Sequence, residues 1–193
     1  MPKYRIGLDL SIKSTGVCVR DTDTGECWYY IIAAKLTKKQ KAFKHDRLEF
    51  IEYYWEKPDK NDDFQTREQK KTNNIWQITR NIKGIVFNYI DVRDLDSLDC
   101  VIEGISYGSS SSAALADLSG LNYAVRCMLK DNSVPFSLAA PMQLKKFAVG
   151  NGGADKAMMT DAWKRCQPEM ADISEIKDDD IADAYFLSVW ETE

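Results

Sequence analysis

Four carboxylates stand at positions where an ordinary surface charge would be unexpected. Asp9 lies within the apolar alternation of residues 4–10, on the face opposite the apolar side chains. Glu103 ends an otherwise apolar segment, and Asp180 and Asp183 lie three residues apart on a predicted helix, so they share a face. Simpler readings stay open, because acids favour helix N-termini and a strand acid can face water.

Carboxylates gathered at one point repel each other and raise each other's pKa unless a cation lies among them. Hard divalent ions take oxygen ligands, and Mg²⁺ suits a phosphodiester substrate. Two ions about 4 Å apart can activate a water and stabilise the leaving oxygen of an in-line displacement without a histidine. His45 is the only histidine, so a Ser-His-Asp triad would have to be built on it, and we set that class of hydrolysis aside. Metal-dependent phosphoryl chemistry is therefore a candidate.

Length and composition indicate a globular protein with a core of its own. The 193 residues are 44% hydrophobic and 11% aromatic, and no apolar run approaches the roughly 20 residues of a membrane span. Five cysteines, an odd number with no C-x-x-C pair, argue against a disulfide framework or a zinc site. We expect a single domain over residues 1–193, located in the cytoplasm and not associated with a membrane.

The net charge of -4 conceals a strong asymmetry along the chain. Residues 169–193 contain nine acidic side chains and one lysine, whereas residues 33–48 contain six basic side chains and one acidic one. This distribution fits a polyanion-binding groove with a carboxylate cluster in it, and it equally fits two solvated charged surfaces.

The order of the predicted elements indicates an α/β fold with a mixed five-stranded sheet that begins as an antiparallel β-meander. Asn73 or Asn74 is the predicted N-cap of the clearest helix. A lysine-rich elaboration occupies about 34–73, with a helix at 47–55 and a polar loop at 57–71. The predicted strands are 4–10, 17–20, 27–33, 99–105 and 134–139, and the main predicted helices are 74–90, 113–129, 154–166 and 178–190, with a short one opening at Pro141.

Three acidic segments resemble the three acidic motifs of the RuvC family of Holliday-junction resolvases. They are Gly-Leu-Asp-Leu-Ser at 7–11, Val-Ile-Glu-Gly at 101–104 and Asp-Ile-Ala-Asp-Ala at 180–184. Residues 142–156 resemble the lysine-bearing DNA-contact motif of the same family. The four motifs come in the family's order and span nearly the whole chain.

The resemblance implies an RNase H-like fold and a site that holds two Mg²⁺ ions, replaceable by Mn²⁺, through Asp9, Glu103, Asp180 and Asp183. It also implies that Lys145 and Lys156 lie near the scissile phosphate, where they would neutralise charge. Lys146 is expected to be a more general DNA contact.

Two features depart from the family pattern. Family members often carry a phenylalanine three residues after the second-motif glutamate, whereas this chain has a serine there, followed by Tyr107. Tyr107 is either a base-stacking residue or a structural one. The basic elaboration, in which Lys38 and Lys39 are predicted DNA contacts, exceeds that of the compact bacterial enzymes. In this respect the chain is more similar to bacteriophage-encoded members of the family, which implies an enzyme that acts without a branch-migration motor.

The favoured hypothesis is a Mg²⁺-dependent endonuclease that nicks four-way and other branched DNA as a homodimer, because twofold symmetry fits paired nicks. One alternative is a non-catalytic module that binds branched DNA. Another is an actin-like nucleotide-binding protein, since residues 7–16 also resemble the first phosphate loop of that superfamily. The chain is too short for the second domain and second glycine-rich loop which that superfamily has.

Overall fold

The computed structural model describes residues 2–89, 97–105, 112–170 and 179–191. Within these ranges one mixed sheet has six strands in the order β4-β3-β2-β1-β5-β6. The first three strands form the predicted antiparallel meander, and β4, β5 and β6 lie parallel to β3, β1 and β5 respectively. The strands are β1 (Tyr4–Asp9), β2 (Ser14–Asp21), β3 (Cys27–Ala33), β4 (Leu48–Glu52), β5 (Leu98–Glu103) and β6 (Phe136–Ala139).

Helices cover both faces of the sheet and give the predicted α/β class. The pair α2 and α3 packs on one face, and α4, α5 and α6 pack on the other. In the described parts of the chain no helix is long and apolar enough to span a membrane. The helices are α1 (Lys38–Ala42), α2 (Phe64–Tyr89), α3 (Ser112–Asp131), α4 (Pro141–Val149), α5 (Lys156–Cys166) and α6 (Asp179–Ser188).

The alternation along β1 divides its side chains between the two layers. Ile6 and Leu8 are fully buried against α2 and α3, and each such side chain contributes about 1.5–3 kcal/mol by leaving water. Gly7 lies on the other face, directly beneath α6. Asp9 continues the series of Gly7, so its side chain lies on the α6 face, as the sequence predicts.

The segment predicted as a helix at 47–55 is instead strand β4, which raises the strand count from five to six. Its residues pair in parallel register with β3, from Tyr29 opposite Leu48 to Ala33 opposite Glu52. The apolar residues of this segment have no clean period, so its hydrogen-bonding partner decides its structure. An open edge on β3 provides that partner, and local propensity is overridden.

Helix α2 begins at Phe64, so the prediction of a loop at 57–71 is wrong for its second half. Asp63 marks the start, because its carboxylate accepts a hydrogen bond from the Thr66 amide at 2.7 Å. Neither Asn73 nor Asn74 is the N-cap, since both lie inside the helix. Residues 65–73 are polar and none of them is buried, so the apolar periodicity that predicts the rest of the helix is absent there.

Candidate active site

Asp9 and Glu103 end two neighbouring parallel strands at the same edge of the sheet. The register pairs Leu8 with Ile102, so the two acids follow one residue further along. Both strands place the preceding apolar residue in the α2–α3 layer and the acid on the α6 face. Asp9 and Glu103 therefore lie side by side, each half-buried.

Two glycines let α6 approach the sheet closely enough to add its acids to this edge. A Cβ on Gly16 would lie 2.1 Å from the Asp180 carbonyl oxygen, and one on Gly7 would lie 1.9 Å from the Ala184 carbonyl oxygen. No side chain fits at either position, so backbone packs on backbone. Asp180 and Asp183 are half-buried where α6 crosses β1 and β2.

Three residues that the sequence analysis did not single out help to position these acids. The Ser14 hydroxyl donates a hydrogen bond to Asp180 Oδ2. Thr15 shapes the turn before it, since its hydroxyl donates to the Ser11 carbonyl at 2.7 Å and accepts from the Ser11 amide at 3.1 Å. On the opposite face, the buried Asn122 amide donates to the Glu103 carbonyl oxygen at 3.1 Å. These roles could not be predicted from the sequence, because each hydrogen-bond partner is either distant in the chain or a backbone atom.

The carboxyl groups perturb each other's ionisation. Burial raises the pKa of Asp9 well above its ordinary value, and the charges of Glu103, Asp183 and Asp180 raise it further. Burial, with a contribution from Asp183, raises the pKa of Glu103 to about 7. Burial also raises the pKa of Asp183 to about 6, although Lys156 opposes the shift. Raised pKa values at several half-buried carboxyl groups that also interact with one another are typical of a functional site.

Two of the three predicted site lysines lie where they act on this cluster. The charges of Lys145 on α4 and Lys156 on α5 both lower the pKa values of Glu103 and Asp183. Lys156 also donates to Asp179 Oδ2 at 2.5 Å, and this hydrogen bond raises the pKa of the lysine. Lys146, the next residue along α4, is exposed.

The donor set suits a hard divalent cation, although the side chains do not form a ready ligand shell. Across the described ranges, no group of three or more His, Cys, Asp or Glu side chains is arranged to hold an ion as placed. The raised pKa values of Asp9, Glu103 and Asp183 are nevertheless the situation that a bound cation relieves.

The basic stretch at 33–48 does not form one continuous surface. Lys38 and Lys39 line a groove beside the start of β2. Lys41 forms an ion pair with Glu52 at 2.6 Å, and Arg47 forms ion pairs with glutamates elsewhere. Tyr107 lies outside the described residues.

No protein-family model matches the sequence, and a comparison with curated proteins finds no match. Solved structures do match. Thermus thermophilus RuvC superposes with a TM-score of 0.54 at 15% identity, over 96% of this chain and 91% of that one. The chain has the RuvC fold. The same bacterial RuvC in complex with a Holliday-junction substrate gives a TM-score of 0.56 at 14% identity, over 97% of this chain and 91% of that one.

The RuvC fold also matches a eukaryotic protein. Yeast mitochondrial Ydc2, a Holliday-junction resolvase, superposes with a TM-score of 0.53 at 15% identity, over 97% of this chain and 77% of that one. These matches confirm the predicted RNase H-like class and the predicted RuvC resemblance at the level of the fold. Within the RuvC fold of this chain, Asp9 and Glu103 lie at the carboxyl ends of parallel strands, where α/β sheets commonly bind ligands.

Proposed function

We propose that this protein is a metal-dependent endonuclease that cuts branched DNA, with the four-way junction as its main substrate. One observation carries the proposal: the RuvC fold brings Asp9, Glu103, Asp180 and Asp183 to one edge of the sheet, beside Lys145 and Lys156. Acids with raised pKa values next to two ammonium groups suit a cation-assisted reaction on a phosphodiester.

In this proposal the carboxylates bind metal ions and the lysines bind the phosphate of the DNA. The four carboxylates would hold two Mg²⁺ ions, with Mn²⁺ as a substitute, and Asp9 would be a ligand of both. Bound there, the ions would activate a water and stabilise the leaving oxygen. Lys145 and Lys156 would bind the non-bridging phosphate oxygens and offset the charge that develops on them. Lys146 would contact the DNA backbone nearby.

A homodimer is the assembly that this function favours. A four-way junction has approximate twofold symmetry, so two copies of one site can place paired nicks in opposite strands. A RuvC structure of the same fold contains a Holliday-junction substrate. We therefore propose that the functional unit is a dimer with one carboxylate site per subunit.

A nicking assay on a panel of substrates tests the proposal. The wild-type protein is incubated with labelled four-way junctions, replication forks and linear duplexes, in Mg²⁺ and in EDTA. Paired symmetric nicks in the junction that disappear in EDTA would support a resolvase, and cutting of every branched substrate would support a broader debranching nuclease. Tight junction binding without cutting would contradict the proposal and favour a non-catalytic junction-binding module.

A further inference from the structure

A cationic groove opens at the same end of the sheet as the carboxylates. It has a volume of about 780 Å³ and lies between the start of β2, the end of β3, α1 and the extended segment around Trp55. None of the described residues that line it is acidic. So dense a positive charge attracts a polyanion. The lysines that line it are Lys13, Lys35, Lys38, Lys39 and Lys57.

The floor of the groove is apolar, in contrast to its charged rim. Ala33, Ala34 and the partly exposed Trp55 line it. Trp55 packs edge-on against Tyr53, with ring centroids 6.2 Å apart and planes at 70°. An aromatic floor within a ring of ammonium groups fits a strand whose bases are unpaired, because a duplex keeps its bases inside and presents only phosphates.

Two side chains of α2 hold the wall that carries the tryptophan. Asn74, which is 1% exposed, accepts from the Glu56 amide at 3.0 Å and donates to the Glu56 carbonyl at 2.9 Å. Gln77 makes the same pair of hydrogen bonds with Tyr54, at 3.0 and 2.7 Å. Trp55 and Lys57 of this wall line the groove, and Trp55 also packs against the apolar layer that contains α2.

Ser14 connects the groove to the carboxylate site. It lines the groove, and its hydroxyl donates to Asp180 Oδ2. Lys13 is fixed beside it, because its carbonyl accepts from the Ala34 amide at 3.0 Å. A DNA strand that leaves the carboxylates past Ser14 therefore enters the groove directly.

We propose that this groove binds an unpaired segment of the strand that is cut, with a base against Trp55 and its phosphates on the lysines. The proposal rests on the proposed function and extends it to the substrate class. Branched DNA with a single-stranded arm, such as a flap or a gapped fork, is a substrate in addition to the fully paired four-way junction.

The test is the affinity of a labelled short oligothymidylate for the full-length protein in EDTA, where no cutting occurs. Trp55→Ala weakens binding by about tenfold or more, the loss expected for one stacked base. Trp55→Phe retains an aromatic floor and most of the affinity. If the alanine variant folds poorly, the salt dependence of the lysine variants, which leave Trp55 in place, decides the test.

A pair of lysine variants supplies the matched control. Lys38→Ala/Lys57→Ala lowers the slope of log affinity against log salt by about 1.4, which corresponds to two lost phosphate contacts on a single strand. Lys83→Ala/Lys130→Ala removes the same charge from positions outside the groove and leaves binding at low salt within about twofold of the wild type. Equal slopes for the two double variants, or unchanged affinity in Trp55→Ala, would overturn the proposal.

Nicking by the wild-type protein separates the two proposals. If oligothymidylate binds through Trp55 and the lysines but no branched DNA is cut, the groove stands and the nuclease proposal fails. If four-way junctions are cut but the groove variants bind oligothymidylate as the wild type does, the nuclease proposal stands and the groove proposal fails.

Discussion

Asp9 and Glu103 lie side by side at the carboxyl ends of β1 and β5, one residue beyond the paired Leu8 and Ile102. Each is half-buried and each is within electrostatic reach of Asp183. The fold thus confines several carboxylates at one edge of the sheet, at a cost in electrostatic free energy that a bound cation would offset.

This relationship predicts that the metal-free protein loses stability as the pH rises from about 5 to 8. The pKa of Glu103 is raised to about 7 and that of Asp183 to about 6, so in this window the folded state binds more protons than the unfolded state. The free energy of unfolding therefore falls with rising pH, by about 2–4 kcal/mol in total. Urea denaturation in EDTA at several pH values measures this change in the free energy of unfolding.

A neutral variant provides the control for that pH profile. Glu103→Gln removes one titrating group and relieves its neighbours, so its profile is flatter and its stability at pH 8 exceeds that of the wild type. Stability that rises between pH 5 and 8 in EDTA, in either protein, would contradict the described electrostatics.

The close approach of α6 predicts a large effect of Gly16→Ala. The added Cβ would lie 2.1 Å from the Asp180 carbonyl oxygen, so α6 must move and the carboxylates move with it. We expect a loss of about 1–3 kcal/mol or more in the free energy of unfolding, together with reduced nicking.

Gly84→Ala is the matched control for Gly16→Ala. A Cβ on Gly84 meets nothing within 4 Å, and inside helix α2 alanine is favoured over glycine by about 0.5–1 kcal/mol. Gly84→Ala therefore preserves or raises stability in the same denaturation experiment. A Gly16→Ala protein as stable as the wild type would show that α6 does not pack so closely on β2.

The positions of the three site lysines predict that their alanine variants lose nicking activity to different extents. Lys145→Ala and Lys156→Ala each reduce nicking of a four-way junction by about tenfold or more, because each removes a charge that faces the carboxylates. Lys146 lies on the exposed side of α4, so Lys146→Ala reduces nicking less than the other two variants do. The first two also shift the pH–rate profile to higher pH, since both ammonium groups lower the pKa values of Glu103 and Asp183. Equal losses in all three variants, without a pH shift, would contradict this assignment.

Sequence-based prediction of the fold is most accurate where a periodic apolar pattern matches a face that is buried against another element. Alternation at residues 4–10 places Asp9 on the correct face because the apolar positions face a helical layer. The sequence misleads at 47–55, where the pattern is ambiguous and the open edge of β3 decides the structure.

The supporting residues of the site escape sequence analysis for a different reason. Ser14 reaches an acid 166 residues away, and Asn74 pairs with backbone atoms 18 residues upstream. Neither interaction has a local signature, because hydroxyl and amide side chains are common on helices and in turns. The role of Gly16 is recognisable only in the packed structure, because the backbone of α6 fills the space that a side chain at position 16 would occupy.

The most direct test of the central claim compares Asp9→Asn with Asp161→Asn, an exposed acid on α5, on one labelled four-way junction. Binding is measured in EDTA, and nicking is measured in Mg²⁺. We predict that Asp9→Asn binds the junction at least as tightly as the wild type, because it repels phosphate less, and does not nick it. Asp161→Asn binds and nicks as the wild type does. Nicking by Asp9→Asn at the wild-type rate would contradict the account.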